Sequence, residues 1–269
     1  MAEERIPLIE TVDLKKYFKV GDKSFLHAVD GINMKVYTGE TIGVVGESGC
    51  GKSTLGRTIL RLIEPTSGQI LYNGDDITKY NARQMKKMRQ ELQIIFQDPY
   101  ASLDPRKSVI EIIAEYMIIN KTLPTKREIF NRAAHLMDVV GLARRYATAY
   151  PHELDGGRRQ RIGIARALSV NPKFIVCDEP VSALDVSIQA QILNLLMDLK
   201  KELNLAMVFI SHDISTVRYI SDRIIVMNKG VIVERGKAKD VFENPKDPYT
   251  KLLLGAAPSL LHPSEECFK

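Results

Sequence analysis

The sequence predicts an α/β fold with a mostly parallel sheet, and three observations predict it. Short apolar runs recur as buried strands should, at Thr41–Val45, Phe174–Cys177, Ala206–Ile210 and Arg223–Met227. Helical stretches separate them, among them the long amphipathic segment from Val186 to Leu203. The first run leads through a glycine-rich segment, Gly46-Glu47-Ser48-Gly49-Cys50-Gly51-Lys52-Ser53, into a helix. That segment fits G-x-x-x-x-G-K-[ST] at every fixed position, in the strand–turn–helix context such a phosphate-binding loop requires.

Residues 5–40 read as short strands with turns, with Gly21-Asp22 breaking the first pair and Thr38-Gly39-Glu40 leading into Thr41–Val45. After the glycine segment, a helix is predicted from Thr54 to Ile63, ended by Pro65. Ser67–Tyr72 reads as a strand, and Asn73-Gly74 after it as a hairpin turn. Gln93–Phe96 is a further short strand. From about Ser108 to Arg145 the pattern is helical, with Val109, Ile112, Ile113, Tyr116 and Met117 on one face and Pro124 and Gly141 as punctuation. This stretch reads as an insertion into the α/β core. There is no internal repeat and no low-complexity segment.

The chain has 269 residues, 45% of them hydrophobic and 26% charged, which is ordinary for a globular protein with a sizeable core. No stretch approaches the ~18 consecutive apolar residues of a membrane span. The acidic start, Met-Ala-Glu-Glu-Arg, lacks the apolar core of a signal peptide, so a cytoplasmic location is expected. The net charge of +5 is a mild excess, as a normal solvated surface shows. The three cysteines, Cys50, Cys177 and Cys267, have neither metal-ligand nor disulfide spacing and are expected to be reduced thiols. Cys50, beside a helix N-terminus, is expected to be somewhat reactive, with no role of its own.

The chemistry implied by the glycine segment is specific. Glycines let backbone N–H groups curl around phosphate oxygens, and the helix N-terminus adds partial positive charge. Lys52 reaches the β- and γ-phosphates, and the Ser53 hydroxyl can ligate Mg²⁺. The apolar run Phe174–Cys177 then delivers Asp178-Glu179-Pro180 to its C-terminal end, where open α/β sheets bind ligands. Asp178 suits the Mg²⁺ shell, and Glu179 suits polarisation of an attacking water. Ala206–Ile210 delivers Ser211-His212-Asp213. Read alone, a histidine at a strand end is a polar surface residue; on the neighbouring strand it can face the same γ-phosphate. Gln97, where a sheet edge meets the helical insertion, can bind water or metal and report ligand state to that insertion.

Together these residues resemble an ATP-binding-cassette (ABC) ATPase, over nearly the whole chain. The phosphate loop is similar to Walker A, with Gly46, Ser48, Gly49, Cys50, Gly51, Lys52, Ser53 and Thr54 as the matching nucleotide-binding residues. Phe174–Glu179 resembles Walker B plus the catalytic glutamate; Gln97 matches the Q-loop, Ser182-Ala183-Leu184-Asp185 the D-loop, and His212 the switch histidine. Phe18, or its neighbour Tyr17, matches the aromatic that stacks on adenine; strand alternation lets one of the two point at the ligand. The resemblance implies an α/β P-loop NTPase (RecA-like) core with an N-terminal antiparallel β subdomain and an inserted helical subdomain. The expected division is residues 1–96 and 160–235 for the nucleotide-binding core, 97–159 for the helical and signature subdomain, and 236–269 for a C-terminal tail. ATP and Mg²⁺ are the implied cofactors; catalytic roles fall to Glu179, His212 and Gln97, and metal contacts to Ser53, Gln97 and Asp178.

Two segments narrow the resemblance. Phe96–Arg106 is similar to the Q-loop segment of oligopeptide and dipeptide importer ATPases, and Asn244–Leu253 resembles their C-terminal element. Importers of nickel, glutathione and some oligosaccharides share these features, so the substrate stays open within that subfamily. The resemblance implies a peripheral subunit on the cytoplasmic face of the membrane. Its implied partners are a second, different ATP-binding subunit, two transmembrane permeases and an extracytoplasmic substrate-binding protein, with no nucleic acid. A cassette ATPase acting on DNA or ribosomes is the rival; the importer-like Q-loop and the lack of coiled-coil heptads weigh against it. With Cys267 alone near the end, no iron–sulfur cluster is expected.

One segment departs from the family. Where the signature reads Leu-Ser-Gly-Gly-Gln, this chain has Leu154-Asp155-Gly156-Gly157-Arg158. Asp caps a helix as well as Ser does. In the family this segment, with Asp155, Gly156, Gly157 and Asp185 here, faces the nucleotide held by the partner. A carboxylate about 4 Å from a phosphate charge costs roughly 4 kcal/mol at an effective dielectric near 20. The helix N-terminus returns about 0.3–1 kcal/mol. Arg158 or Mg²⁺ could screen Asp155, yet unequal ATP sites are expected, with slow hydrolysis where this chain's signature is used and most turnover at its own Walker site.

Overall fold

A computed structural model describes residues 5–22 and 24–256; Cys267 and its expected lack of a cluster lie outside the described residues. The strands are β1 (Ile9–Lys19), β2 (Phe25–Val36), β3 (Thr41–Val45), β4 (Ser67–Tyr72), β5 (Asp75–Asp76), β6 (Leu92–Ile95), β7 (Phe174–Asp178), β8 (Ala206–Ile210), β9 (Arg223–Asn228) and β10 (Val231–Lys237). The helices are α1 (Lys52–Ile59), α2 (Ala82–Glu91), α3 (Pro99–Ser102), α4 (Val109–Asn120), α5 (Lys126–Val139), α6 (Gly156–Leu168), α7 (Val186–Leu203), α8 (Ile214–Ile220), α9 (Ala238–Glu243) and α10 (Pro248–Ala256).

The strands form two sheets. One is six-stranded, ordered β10-β9-β3-β8-β7-β6, and parallel except for β10. The other is four-stranded and antiparallel, ordered β2-β1-β4-β5. Every residue of β3, β7 and β8 is buried, because both faces of the parallel sheet are covered. Side-chain alternation splits these strands between two cores. Ile42, Val44, Phe174, Val176, Val208 and Ile210 pack with Leu55 and Ile59 of α1 and with Leu14 and Ile70 of the antiparallel sheet. Val45, Ile175, Cys177, Met207 and Phe209 pack on the opposite side with α4–α8.

Four elements differ from expectation. The first two strands are long, 11 and 12 residues, and their register shifts show bulges that let so long a pair bend. The helix after the phosphate loop spans Lys52–Ile59, not Thr54–Ile63. It stops because Arg61 turns left-handed at φ 48°, and its guanidinium donates to the carbonyls of Ile77 and Tyr80 at 2.7 and 2.8 Å. Helix α2 has no counterpart in the sequence reading; it starts at a reciprocal cap in which Asn81 and Gln84 each receive the other's backbone N–H. The central helical stretch divides as Pro124 and Gly141 indicate. Glu111 and Glu128 close the caps of α4 and α5 on Ser108 and Thr125. Among the described residues no helix is long and apolar enough to cross a membrane.

Candidate functional site

The C-terminal ends of β3, β6, β7 and β8 lie side by side at one edge of the parallel sheet. Registers Ile95↔Cys177, Asp178↔Ile210 and Val44↔Ile210 bring Gln97, Asp178-Glu179, His212 and the glycine loop together. A cleft of about 570 Å³ opens there, lined by Ser48, Gly49, Gly51, Lys52, Ser53, Thr54, Gln97, Glu179 and His212, with Phe18, Leu26 and Ala28 also in its lining.

The loop depends on its glycines. Gly46 has φ 152°, and a Cβ there would stand 2.2 Å from the Met227 carbonyl oxygen. Gly51 has φ 107°, and its Cβ would stand 1.9 Å from the Ala28 carbonyl oxygen. Between them Glu47–Gly49 is exposed. Lys52 is buried and curled into the loop, its Nζ donating to the carbonyls of Gly46 at 2.7 Å and Glu47 at 2.9 Å. Cys50 is buried, and burial raises its thiol pKa. The expectation of a somewhat reactive thiol is corrected: desolvation outweighs the nearby Lys52.

Asp178 is 1% exposed and accepts from Ser53 Oγ at 2.6 Å and from Arg57 Nη2 at 3.1 Å. A hydroxyl beside a carboxylate is the oxygen set that a hard Mg²⁺ ion takes, so these residues fit the metal. Arg57 belongs to none of the sequence motifs. Its one signal is spacing, since it lies four residues past Ser53 and so on the same helical face.

Glu179 stands at φ 47°, in the left-handed region that non-glycine residues seldom occupy. Its amide donates to the Ile210 carbonyl at 3.0 Å, which fixes the turn. Its Oε2 accepts from Gln97 Nε2 at 3.0 Å and meets His212 Nδ1 at 3.1 Å. Three strand ends thus converge on one carboxylate oxygen. Gln97 faces Glu179 through its amide nitrogen; to touch a cation it must turn its amide oxygen inward.

Strand alternation separates the two candidate aromatics. Phe18 pairs across the strands with Leu26, and both line the cleft. Tyr17 turns away, donating to Asp30 at 2.5 Å and stacking on His27 with ring centroids 3.9 Å apart.

Asp155, Gly156, Gly157 and Asp185 do not line this cleft. Asp155 caps α6, accepting the Arg158 amide at 2.8 Å, and also forms an ion pair with the Arg158 guanidinium. The guanidinium lies 5.0 Å from the Tyr146 ring centroid. The charge that looks unbalanced in the sequence is therefore matched within its own helix turn. Gly156 and Gly157 face Leu184 and Ile188, where added Cβ atoms would stand 3.0 and 2.6 Å away. Asp185 is exposed at the N-terminus of α7, its carbonyl accepting from Gln189 N at 2.8 Å.

Known proteins resemble this chain in sequence and in fold. Residues 29–182 match the family model described as ABC transporter, and residues 233–267 match that of the oligopeptide/dipeptide transporter, C-terminal region. The oligopeptide transport ATP-binding protein OppF of Bacillus subtilis is 52% identical over 252 residues, covering 93% of this chain and 82% of that protein. The dipeptide transport ATP-binding protein DppF of Escherichia coli is 47% identical, over 94% of this chain and 77% of that protein. The dimeric, post-hydrolysis structure of the cassette MJ0796 bound to ADP and Pi has a TM-score of 0.78 at 29% identity. It covers 86% of this chain and 98% of that one. The cassette cbiO1 of Clostridium perfringens has the same TM-score at 30% identity, over 89% of this chain and 92% of its own. The chain belongs to the ABC transporter family and is built on its ATP-binding cassette.

Proposed function

We propose that the chain is the ATP-binding, ATP-hydrolysing subunit of an importer for oligopeptides or dipeptides. The observation that carries this reading is that the glycine loop and the Gln97–Glu179–His212 cluster line one cleft, with Asp178 buried behind it and bonded to Ser53 of the loop. The names of the relatives, oligopeptide and dipeptide transport ATP-binding proteins, support the substrate class.

In this mechanism the loop amides and Lys52 hold the phosphates, and Phe18 stacks on adenine. Ser53 and Asp178 would hold Mg²⁺, which would supply charge neutralisation at the phosphates. Glu179 takes the proton of the attacking water, and His212 and Gln97 hold its carboxylate toward that water. Asp155, Gly156, Gly157 and Asp185 face the nucleotide of a second, related ATP-binding subunit. Two permeases, an extracytoplasmic binding protein and a place on the cytoplasmic face of the membrane complete the assembly. The test is ATP-driven uptake of labelled di- and oligopeptides into proteoliposomes holding all components. Undiminished uptake when this chain is omitted would overturn the assignment.

The permease docks on Asp98–Arg106 and an adjoining groove. The groove, about 240 Å³, is lined in part by Leu60, Leu62, Ile94, Tyr116 and Ile119. Leu62 is 45% and Ile119 54% exposed, and Tyr100 on α3 is 56% exposed. Arg166 links the two parts, donating to the Ser102 carbonyl and lying 5.8 Å from the Tyr116 ring centroid. Cysteines placed at Leu62, Tyr100 or Ile119 are expected to crosslink to a permease loop. Crosslinks confined to the C-terminal region would contradict this docking site.

Arg158 shields the partner's nucleotide from Asp155. Arg158→Ala is expected to slow ATP hydrolysis in the assembled transporter about tenfold, since the bare carboxylate then faces phosphate charge. Asp155→Ser alone changes the rate by less than about threefold, and added to Arg158→Ala it restores the rate. Failure of that restoration would show that Arg158 acts through something other than charge.

A further inference from the structure

The C-terminal region reaches back to the phosphate loop. The Tyr249 phenol oxygen accepts the Glu47 backbone N–H at 3.0 Å, across most of the length of the chain. Glu47 opens the exposed arch Glu47–Gly49, so this contact falls where the loop leaves its buried strand.

Tyr249 is itself held firmly. Both oxygens of Glu234, on β10, accept backbone N–H groups of the turn before α10, from Lys246 at 2.9 Å and Asp247 at 3.0 Å. Asp247 in turn accepts the Tyr249 amide at 2.8 Å. The far side of the loop is fixed separately, by the Gly230 amide donating to the Cys50 carbonyl at 2.9 Å.

The arch also shapes the carbonyls that receive Lys52, those of Gly46 and Glu47. An ammonium carries three N–H donors, so one remains for a phosphate oxygen while these two bonds persist. The Glu47 carbonyl also accepts the Cys50 amide at 3.3 Å, and its own amide is held by Tyr249 alone among the contacts described. We propose that Tyr249 is a positioning residue for the phosphate loop: its phenol keeps the arch curled around the Lys52 ammonium, so that the C-terminal region sets the affinity of the cassette for ATP. This rests on the ATP-binding role proposed above for the loop.

The test uses the assembled transporter. Tyr249→Phe keeps the ring, which packs at the edge of the helical core, and removes one oxygen. KM for ATP is expected to rise about 3- to 10-fold, the range set by one hydrogen bond, with kcat within about twofold of wild type. Equilibrium binding of a fluorescent ATP analogue should weaken by the same factor, with the melting temperature unchanged. Glu234→Gln, which loosens the turn carrying Tyr249, should raise KM as well, and the double variant should be no worse than Tyr249→Phe. Unchanged KM in Tyr249→Phe, a loss in kcat alone, or additive effects of the pair would overturn the proposal. Lys52→Ala in the same binding assay separates the two levels. If it weakens analogue binding and Tyr249→Phe does not, the positioning role alone fails. If it too leaves binding intact, the nucleotide site fails and this inference with it.

Discussion

Glu179→Gln is expected to abolish steady-state ATP hydrolysis in the assembled transporter, by at least about 100-fold, the scale of a lost general base. Nucleotide binding should stay within about threefold of wild type. The amide keeps the size of the carboxylate, and its carbonyl oxygen can still accept from Gln97 and His212, so the cluster survives. What it loses is the capacity to take a proton from water. The left-handed backbone at φ 47° burdens glutamine as it does glutamate, so folding should not change. Hydrolysis above about a tenth of the wild-type rate would remove Glu179 from the base's role.

Lys52→Ala is expected to weaken ATP binding about 10- to 100-fold, as the loss of charged hydrogen bonds to phosphate requires. Hydrolysis falls with it. The side chain is 4% exposed and satisfies the Gly46 and Glu47 carbonyls, so its removal also leaves two acceptors of the resting loop without their donor. Calorimetric titration with ATP measures the first effect and thermal melting the second. A lowered melting temperature with unchanged ATP affinity would mean that Lys52 only braces the loop.

Much of this site is visible in the sequence because burial on two sides writes a plain signal. β3, β7 and β8 are covered on both faces, so their sequences are unbroken apolar runs whose ends locate Gly46, Asp178 and Ser211 within a residue. Helix α7, half covered, shows its period and matches its predicted bounds. Helix α2 does not, because Met85 is its one buried residue and a mostly solvated helix leaves no stripe. The left-handed turn at Glu179 is also hidden: a glutamate gives no hint of the unusual φ that a glycine would have announced. The pairing of Asp155 with Arg158 was open in the sequence and needed coordinates to decide, since side-chain direction is not encoded by spacing alone. The Tyr249 contact joins residues far apart in the chain through the β9–β10 hairpin, a tertiary consequence with no local trace.

The place of β3 in its sheet also governs the timing of synthesis. Its hydrogen-bonded neighbours are β8 and β9, with Thr41 opposite Met207 and Ile42 opposite Arg223. The strand that carries the phosphate loop therefore leaves the ribosome long before either neighbour exists. At about 5–20 residues per second, it waits roughly 8–30 s for β8. Helices α4 and α5 close on each other much sooner, through contacts near in sequence. A nascent chain thus carries a helical hairpin before the largely apolar β3 has either strand neighbour, so β3 is a segment for a chaperone to protect during translation.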